Sequence, residues 1–137
     1  LARPLGVYRC HCKDCQRFSG ADYSMSMVVR REAFEHVAGE TSAYRKTADS
    51  GRQALMHACA ACGTKLWNEP LASPDILILK PGTLDESGWA APAGDIWTSR
   101  ALPWVTFDPA LPAFPGQPPS RDPIYAAWDA MVREAAP

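Results

Sequence analysis

The five cysteines of the chain fall into two clusters, and this clustering constrains the fold more than any other feature. Three lie within six residues, at Cys10, Cys12 and Cys15, and two more form the pair Cys59 and Cys62. An odd number of closely spaced cysteines argues against a closed disulfide framework. Clustered thiols in a chain with no recognisable signal peptide indicate metal binding in a reducing compartment, so the sequence predicts a cytoplasmic zinc protein.

Length and composition favour one globular domain with a modest core. The chain has 137 residues, of which 47% are hydrophobic and 21% charged, with a formal net charge of −1. These values are ordinary for a folded domain. The chain has no basic excess, and no apolar run approaches the roughly 18 residues that a membrane-spanning helix needs. Neither nucleic acid nor a membrane is therefore an expected partner, and the oligomeric state is left open.

Proline is frequent, at 13 residues, which predicts short strands and many turns. Short or alternating apolar runs predict strands over 21–30, 42–47, 52–58, 75–80, 95–100 and 103–107, with one more after Cys62. Asp122 and Pro123 are typical of a helix start, and Ile124 and Trp128 follow at helical spacing, which predicts a C-terminal helix over 123–135. The expected fold is mainly β, with small sheets held around metal.

The pair Cys59 and Cys62 has the spacing with which two thiolates hold one zinc ion from a single tight turn. Gly63 follows directly and suits the positive φ that such a turn often requires. The alternative is a pair of free buried thiols.

Spacing alone leaves two arrangements of the first cluster open. In one, Cys12 and Cys15 join Cys59 and Cys62 in a closed four-cysteine site, and Cys10 is spare. In the other, Cys10, Cys12 and Cys15 hold an ion by themselves, because alternation along a strand puts Cys10 and Cys12 on the same side. Three protein ligands with an open fourth position are typical of catalytic zinc, whereas closed four-ligand sites are structural.

Four segments, in the same order, resemble those of the glutathione-dependent formaldehyde-activating enzyme family, whose domain is shared with centromere protein V. "CHCKDCQRFSGADYS" resembles the family signature, and "HACAACGTKLW" resembles its second cysteine turn. "PGTLDE" is similar to the Gly-Thr-Leu-Asp turn, and "DIWTSRALPWV" is similar to the late segment that ends in Trp-Val.

The resemblance implies a β-tent of small coiled antiparallel sheets around zinc. Residues 1–120 would form the zinc-binding domain, and 121–137 a helix packed on it. Cys10, Cys12 and Cys15 would hold a catalytic zinc, and Cys59 and Cys62 would form half of a structural zinc site. In the family the other half is an upstream Cys-x-Cys pair, for which this chain begins too late. We therefore expect an incomplete N-terminus or a member without the full second site.

Several residues near these motifs are candidates for contact with a substrate. Gln16 and Ser19 follow the thiols, and Trp97 occupies the late segment; ordinary capping and core roles are the alternatives. A second departure from the family pattern is Asp95, where members often carry histidine. This difference is expected to alter substrate recognition.

Four charged or titratable residues flank the thiols. Arg9, Lys13 and Arg17 are candidates to offset the negative charge of the site and to attract carboxylates, with a solvated charged surface as the alternative. His11 lies between two ligands and points away from them, so it is either a proton shuttle or a plain surface or supporting residue.

The implied function is that of a zinc-dependent carbon–sulfur lyase. Its partner would be a small-molecule thiol such as glutathione, which combines with formaldehyde to give S-(hydroxymethyl)glutathione. A non-catalytic zinc module for protein binding is the alternative, because fold does not settle function. Methionine-sulfoxide reduction on a related fold is disfavoured, since Cys62 is the last cysteine and no later thiol nucleophile exists.

Overall fold

Residues 3–134 are described by a computed structural model, in which strands outnumber helices. The elements are β1 (Gly6–Cys10), α1 (Lys13–Ser19), β2 (Ser24–Arg30), β3 (Thr41–Thr47), β4 (Gln53–Cys59), β5 (Lys65–Pro70), β6 (Ile76–Leu79), β7 (Asp95–Ile96), β8 (Ala113–Phe114) and α2 (Asp122–Glu134), with 3₁₀ turns at Arg31–Ala33, Pro81–Thr83 and Thr98–Arg100. The predicted mainly β class is therefore confirmed.

All eight of these strands join one sheet, in the order β3-β4-β5-β6-β2-β1-β7-β8. The pairs from β3 to β1 are antiparallel. The two-residue strands β7 and β8 pair in parallel fashion, β7 with β1 and β8, at the edge of the sheet, with β7. The sheet is thus mixed and continuous, whereas several small antiparallel sheets were expected.

The sequence predicted the four strands β2, β3, β4 and β6 within a few residues, but it misplaced structure around Trp97. Strand β7 stops at Ile96, because Trp97 adopts a left-handed backbone with φ of 59° and a 3₁₀ turn follows. The predicted strand over 103–107 is wrong: Pro103 lies in a turn in which the N–H of Val105 donates to the carbonyl of Leu102.

Helix α2 begins one residue before its predicted start and is described to Glu134; its predicted last position, 135, lies outside the described residues. Ile124 and Trp128 are fully buried, and they join the core of the sheet. None of the helices described between residues 3 and 134 combines the length and apolar character needed to cross a bilayer.

Strand β2 is covered on both faces, although its alternating pattern predicted a half-buried strand. Ser24 and Ser26 are 2% and 4% exposed. They lie beside Cys10 and Tyr8, their cross-strand partners on β1. These serines therefore form part of a buried polar surface beneath the thiols, where an apolar residue would be the usual occupant.

Two glycines let α2 lie close to the sheet. A Cβ at Gly6 would approach the Tyr125 ring to 2.8 Å, and one at Gly94 would come within 2.9 Å of both Ile124 Cγ1 and the backbone oxygen of Pro112. The helix therefore packs on the face of β1 that carries Gly6 and, further along, Cys10.

We expect Gly94→Ala to destabilise the protein by about 1–3 kcal/mol, because a methyl group there must displace both a buried side chain and backbone. Gly88→Ala is the matched control, since its Cβ meets nothing within 4 Å. Chemical denaturation measures both variants. Equal unfolding free energies for the two would contradict the close packing of α2.

Candidate metal centre and its cavity

The first three cysteines converge where β1 passes into α1. Cys10 ends the strand, Cys12 is the N-cap residue of the helix and Cys15 lies in its first turn. The Cys12 sulfur accepts a hydrogen bond from the N–H of Cys15 at 3.3 Å. The three sulfur atoms all lie within 4.8 Å of one another. A short strand followed at once by a helix thus brings them together without any distant segment.

This thiol cluster fits a zinc ion. Tetrahedral zinc with bonds of about 2.3 Å holds its sulfur ligands roughly 3.8 Å apart, which is compatible with the observed separations. The thiols already share protons: hydrogen bonds from Cys10 and Cys15 lower the pKa of Cys12. Hydrogen bonding to Cys12 and Cys15, together with burial, raises the pKa of Cys10. A cation would replace these shared protons.

The thiol cluster opens into a cavity of about 380 Å³, a size typical of small-molecule sites. Tyr8, Ser26, Ile96 and Trp97 contribute to its walls, and the β3–β4 turn borders it. The charged residues of its lining are Lys13, Asp14, Lys46, Asp49, Arg52, Arg100 and Arg121. With five cations against two carboxylates, the cavity favours an anionic ligand.

Cys59 ends β4, and Cys62 lies in the turn that leads to β5. Gly63 has a φ of 73°, as the spacing predicted. Within residues 3–134 neither thiol joins a third metal-ligating group, so the closed four-cysteine arrangement is wrong. Contacts with Thr64 and then Cys59 lower the pKa of the exposed Cys62 thiol. The second zinc site stays a prediction.

The opposite face of β1 carries a buried ionic network. Asp95 is 1% exposed and accepts two hydrogen bonds from the Arg9 guanidinium, at 2.7 and 3.0 Å. Its Oδ1 also lies 2.7 Å from Nε2 of His11. Arg9 further donates to the carbonyl of Thr106. The network therefore fastens β1 to β7 and to the loop at Thr106.

This network revises three expectations. His11 does point away from the ligands, but it is 0% exposed and lies between the rings of Tyr23 and Phe107, so it is not a surface residue. Arg9 faces away from the thiols and cannot offset their charge directly. Asp95 does not line the cavity, so any effect on substrate recognition would be transmitted through β1.

The remaining candidates differ in their access to the cavity. Lys13 and Trp97 line the cavity, whereas Arg17 is exposed and does not line it. The amide nitrogen of Gln16 donates to the carbonyls of His11 and Arg100, at 2.8 and 2.9 Å.

Ser19 donates to the carbonyl of Cys15 at 2.8 Å and borders a smaller neighbouring cavity of about 200 Å³. The contacts of Gln16 and Ser19 stabilise the thiol-bearing segment, so their role in substrate binding stays a prediction that the geometry does not favour. The left-handed backbone of Trp97 is the type of strained conformation that clusters at functional sites.

Two partly buried cations near the thiols, Lys80 and Arg121, were not indicated by any pattern in the sequence. Lys80 donates to Ser24 Oγ at 2.9 Å, and its ammonium lies 5.0 Å from the centre of the Phe18 ring. Burial lowers the pKa of Lys80, and the negative charge on Cys15 and its neighbours opposes this. Arg121 is the residue directly before α2. Both side chains reach the thiols only through contacts between segments distant in sequence, which a local sequence pattern does not predict.

A mainly β fold with three converging thiols beside an open cavity defines a class of proteins with a thiol cluster that could hold a metal ion and that a small ligand can reach. The profile of the family described as "Glutathione-dependent formaldehyde-activating enzyme" matches residues 2–100. The chain belongs to this family, which is a family of enzymes. A search of curated proteins returned no significant match.

We expect Cys10→Ser to remove one equivalent of bound zinc, because the remaining two thiols of the cluster cannot hold the ion tightly. Cys62→Ser is the matched control and should retain that equivalent. Atomic absorption on the purified proteins gives the stoichiometry. Loss of the same ion from both variants would contradict the separation of the two clusters.

Asp95→Asn should destabilise the fold by about 3 kcal/mol or more, because it leaves Arg9 and His11 without their buried carboxylate. Asp129→Asn is the control: this carboxylate is 42% exposed and pairs with Arg3 and Arg133, so its loss should cost less than about 1 kcal/mol. Urea denaturation compares the two. Similar destabilisation would contradict the anchoring role of Asp95.

Proposed function

We propose that the protein is a zinc-dependent enzyme of the carbon–sulfur lyase type. In the synthetic direction a thiol such as glutathione combines with formaldehyde to give S-(hydroxymethyl)glutathione. The sulfur–carbon bond forms, the carbonyl π bond breaks, and the thiol proton ends on the new hydroxyl oxygen, so the reaction needs no redox partner. The observation that carries this proposal is the exposure of three converging thiols to one substrate-sized cavity.

Cys10, Cys12 and Cys15 would hold the zinc ion. When bound, zinc supplies Lewis acidity that favours the thiolate form of an incoming thiol. Cys12 is suited to stay ionised, because its sulfur accepts the Cys15 N–H at the start of a helix. The nearby Lys80 ammonium compensates part of the negative charge that three thiolates bring to the centre.

The cavity walls would bind and orient the substrate. Burial raises the pKa of Tyr8 to about 12, so this residue stays a neutral phenol at physiological pH. Trp97 offers an apolar wall beside the thiols. Helix α2 packs on the face of β1 that carries Cys10, and we therefore propose that 121–137 acts as part of the same domain.

The second candidate is a non-catalytic zinc module for protein binding. An accessible cavity beside the thiol cluster favours the enzyme, since a purely structural site has no need of a path for small molecules. A reducing, cytoplasmic location is also proposed; it is supported by five cysteines that are all free thiols.

Exchange NMR with ¹³C-formaldehyde tests the activity. The zinc-loaded protein should accelerate exchange between formaldehyde, glutathione and their adduct, and Cys12→Ser should return the exchange to its uncatalysed rate. Cys62→Ser should keep the acceleration. Exchange no faster with the zinc-loaded protein than without it would refute the enzyme and leave the binding module.

A further inference from the structure

We propose that Arg121 forms a carboxylate-binding subsite, so that the thiol substrate carries an acidic group away from its sulfur. This inference rests on the proposed function and specifies the substrate class of the same cavity. Arg121 lies outside residues 2–100, the part that the family profile matches. The family match therefore does not by itself assign this subsite.

Arg121 is a partly buried cation without an acidic partner among the residues described. Its guanidinium carbon lies 5.7 Å from the centre of the Tyr8 ring. Its Nε is buried and has no hydrogen-bond partner among the residues described. The ion pairs found between residues 3 and 134 do not include it. A buried charge in this state lacks the compensation that such groups normally have.

Other cations of the cavity are engaged or lie at its surface. Lys46 pairs with Asp14 at 2.8 Å across the cavity mouth, and Lys13 donates to Gln16 Oε1 at 3.1 Å. Arg52 is exposed. Among the cations that line this cavity, Arg121 therefore differs in one respect: its Nε is buried and has no acceptor within residues 3–134.

The guanidinium group suits a carboxylate better than other ligands. It presents parallel N–H donors in a fixed planar geometry that matches two carboxylate oxygens. The neutral Tyr8 phenol beside it can add a further hydrogen bond. A phosphate would fit the same donors, and the test below includes it as a competing anion.

The distance between this subsite and the thiols limits the substrate. Arg121 lies over Tyr8, and Cys10 is two residues further along the same face of β1. Two strand residues span roughly 7 Å. The sulfur and the carboxylate of the ligand should therefore be separated by a distance on the order of 7 Å, which requires several intervening bonds.

A matched pair of thiols tests the subsite directly. 6-Mercaptohexanoate and 6-mercaptohexanamide have the same length and differ in charge at the end remote from sulfur. Their dissociation constants are read from the change in the visible spectrum of the cobalt-substituted protein. A charge-assisted pair should give the acid an advantage of about 10- to 100-fold over the amide.

Arg121→Gln should abolish this preference, because 6-mercaptohexanoate should bind more weakly while the binding of 6-mercaptohexanamide stays unchanged. Arg121→Lys should keep part of the preference. Arg133→Gln is the control, because Arg133 belongs to α2, the helix that Arg121 precedes, but its side chain is 76% exposed. An unchanged preference in Arg121→Gln would overturn the proposal. The proposal would also be overturned if millimolar inorganic phosphate displaced 6-mercaptohexanoate and this acid bound no more tightly than the amide. The site would then be a phosphate site.

A second measurement separates this proposal from the proposed function. S-methylglutathione keeps both carboxylates but has no thiol proton, so it can occupy the subsite without the chemistry of the thiol cluster. It should raise the melting temperature of the zinc-free wild-type protein and not that of Arg121→Gln. If thiols bind to the cobalt-substituted protein but S-methylglutathione does not raise the melting temperature, the subsite alone is refuted. If S-methylglutathione raises the melting temperature but thiols do not bind to cobalt, the enzyme alone is refuted.

Discussion

The carboxylate of Asp95 is the contact on which the thiol cluster depends. It binds Arg9 of β1 and His11, the residue that follows β1; these two alternate along the chain with Tyr8 and Cys10. One face of the strand is thereby held by a buried ionic network, and the opposite face presents thiols to a cavity. Because a single-residue shift in register would exchange these faces, pairing of β1 and the position of the thiols are determined together.

The same strand explains why polar groups are buried on the thiol side. Ser24 and Ser26 lie opposite Cys10 and Tyr8 across the β1–β2 pair, and Lys80 reaches Ser24 from the end of β6. A buried ammonium is unfavourable by itself. Beside three ionisable sulfurs, the ammonium of Lys80 compensates their negative charge. The lysine and the thiols therefore each lower the free-energy cost of burying the other.

Local patterns in the sequence predicted the parts of the protein that local physics determines. Alternation predicted β2, and the turn residues at 48–51 separated β3 from β4. Capping residues predicted the start of α2 to within one residue, and the spacing of Cys59 and Cys62 predicted the positive φ of Gly63. The predicted strand over 95–100 contained β7 but extended beyond its end at Ile96, and the edge strand β8 was not predicted, since two residues carry no period. Likewise, nothing near Asp95 in the sequence indicates that its partners lie 84 and 86 residues earlier.

The two chemical ends of the cavity come from opposite ends of the chain. The thiols belong to residues 10–15, whereas Arg121 precedes α2, whose position depends on the close approach of Ile124 to Gly94 and of Tyr125 to Gly6. The cavity is therefore complete only when the C-terminal helix has docked on β1. Docking brings a cation without a carboxylate partner next to the thiols, which is unfavourable for folding and favourable for binding an acidic ligand. A partly buried arginine whose Nε has no acceptor among the described residues is best understood as a residue whose carboxylate partner arrives with the substrate.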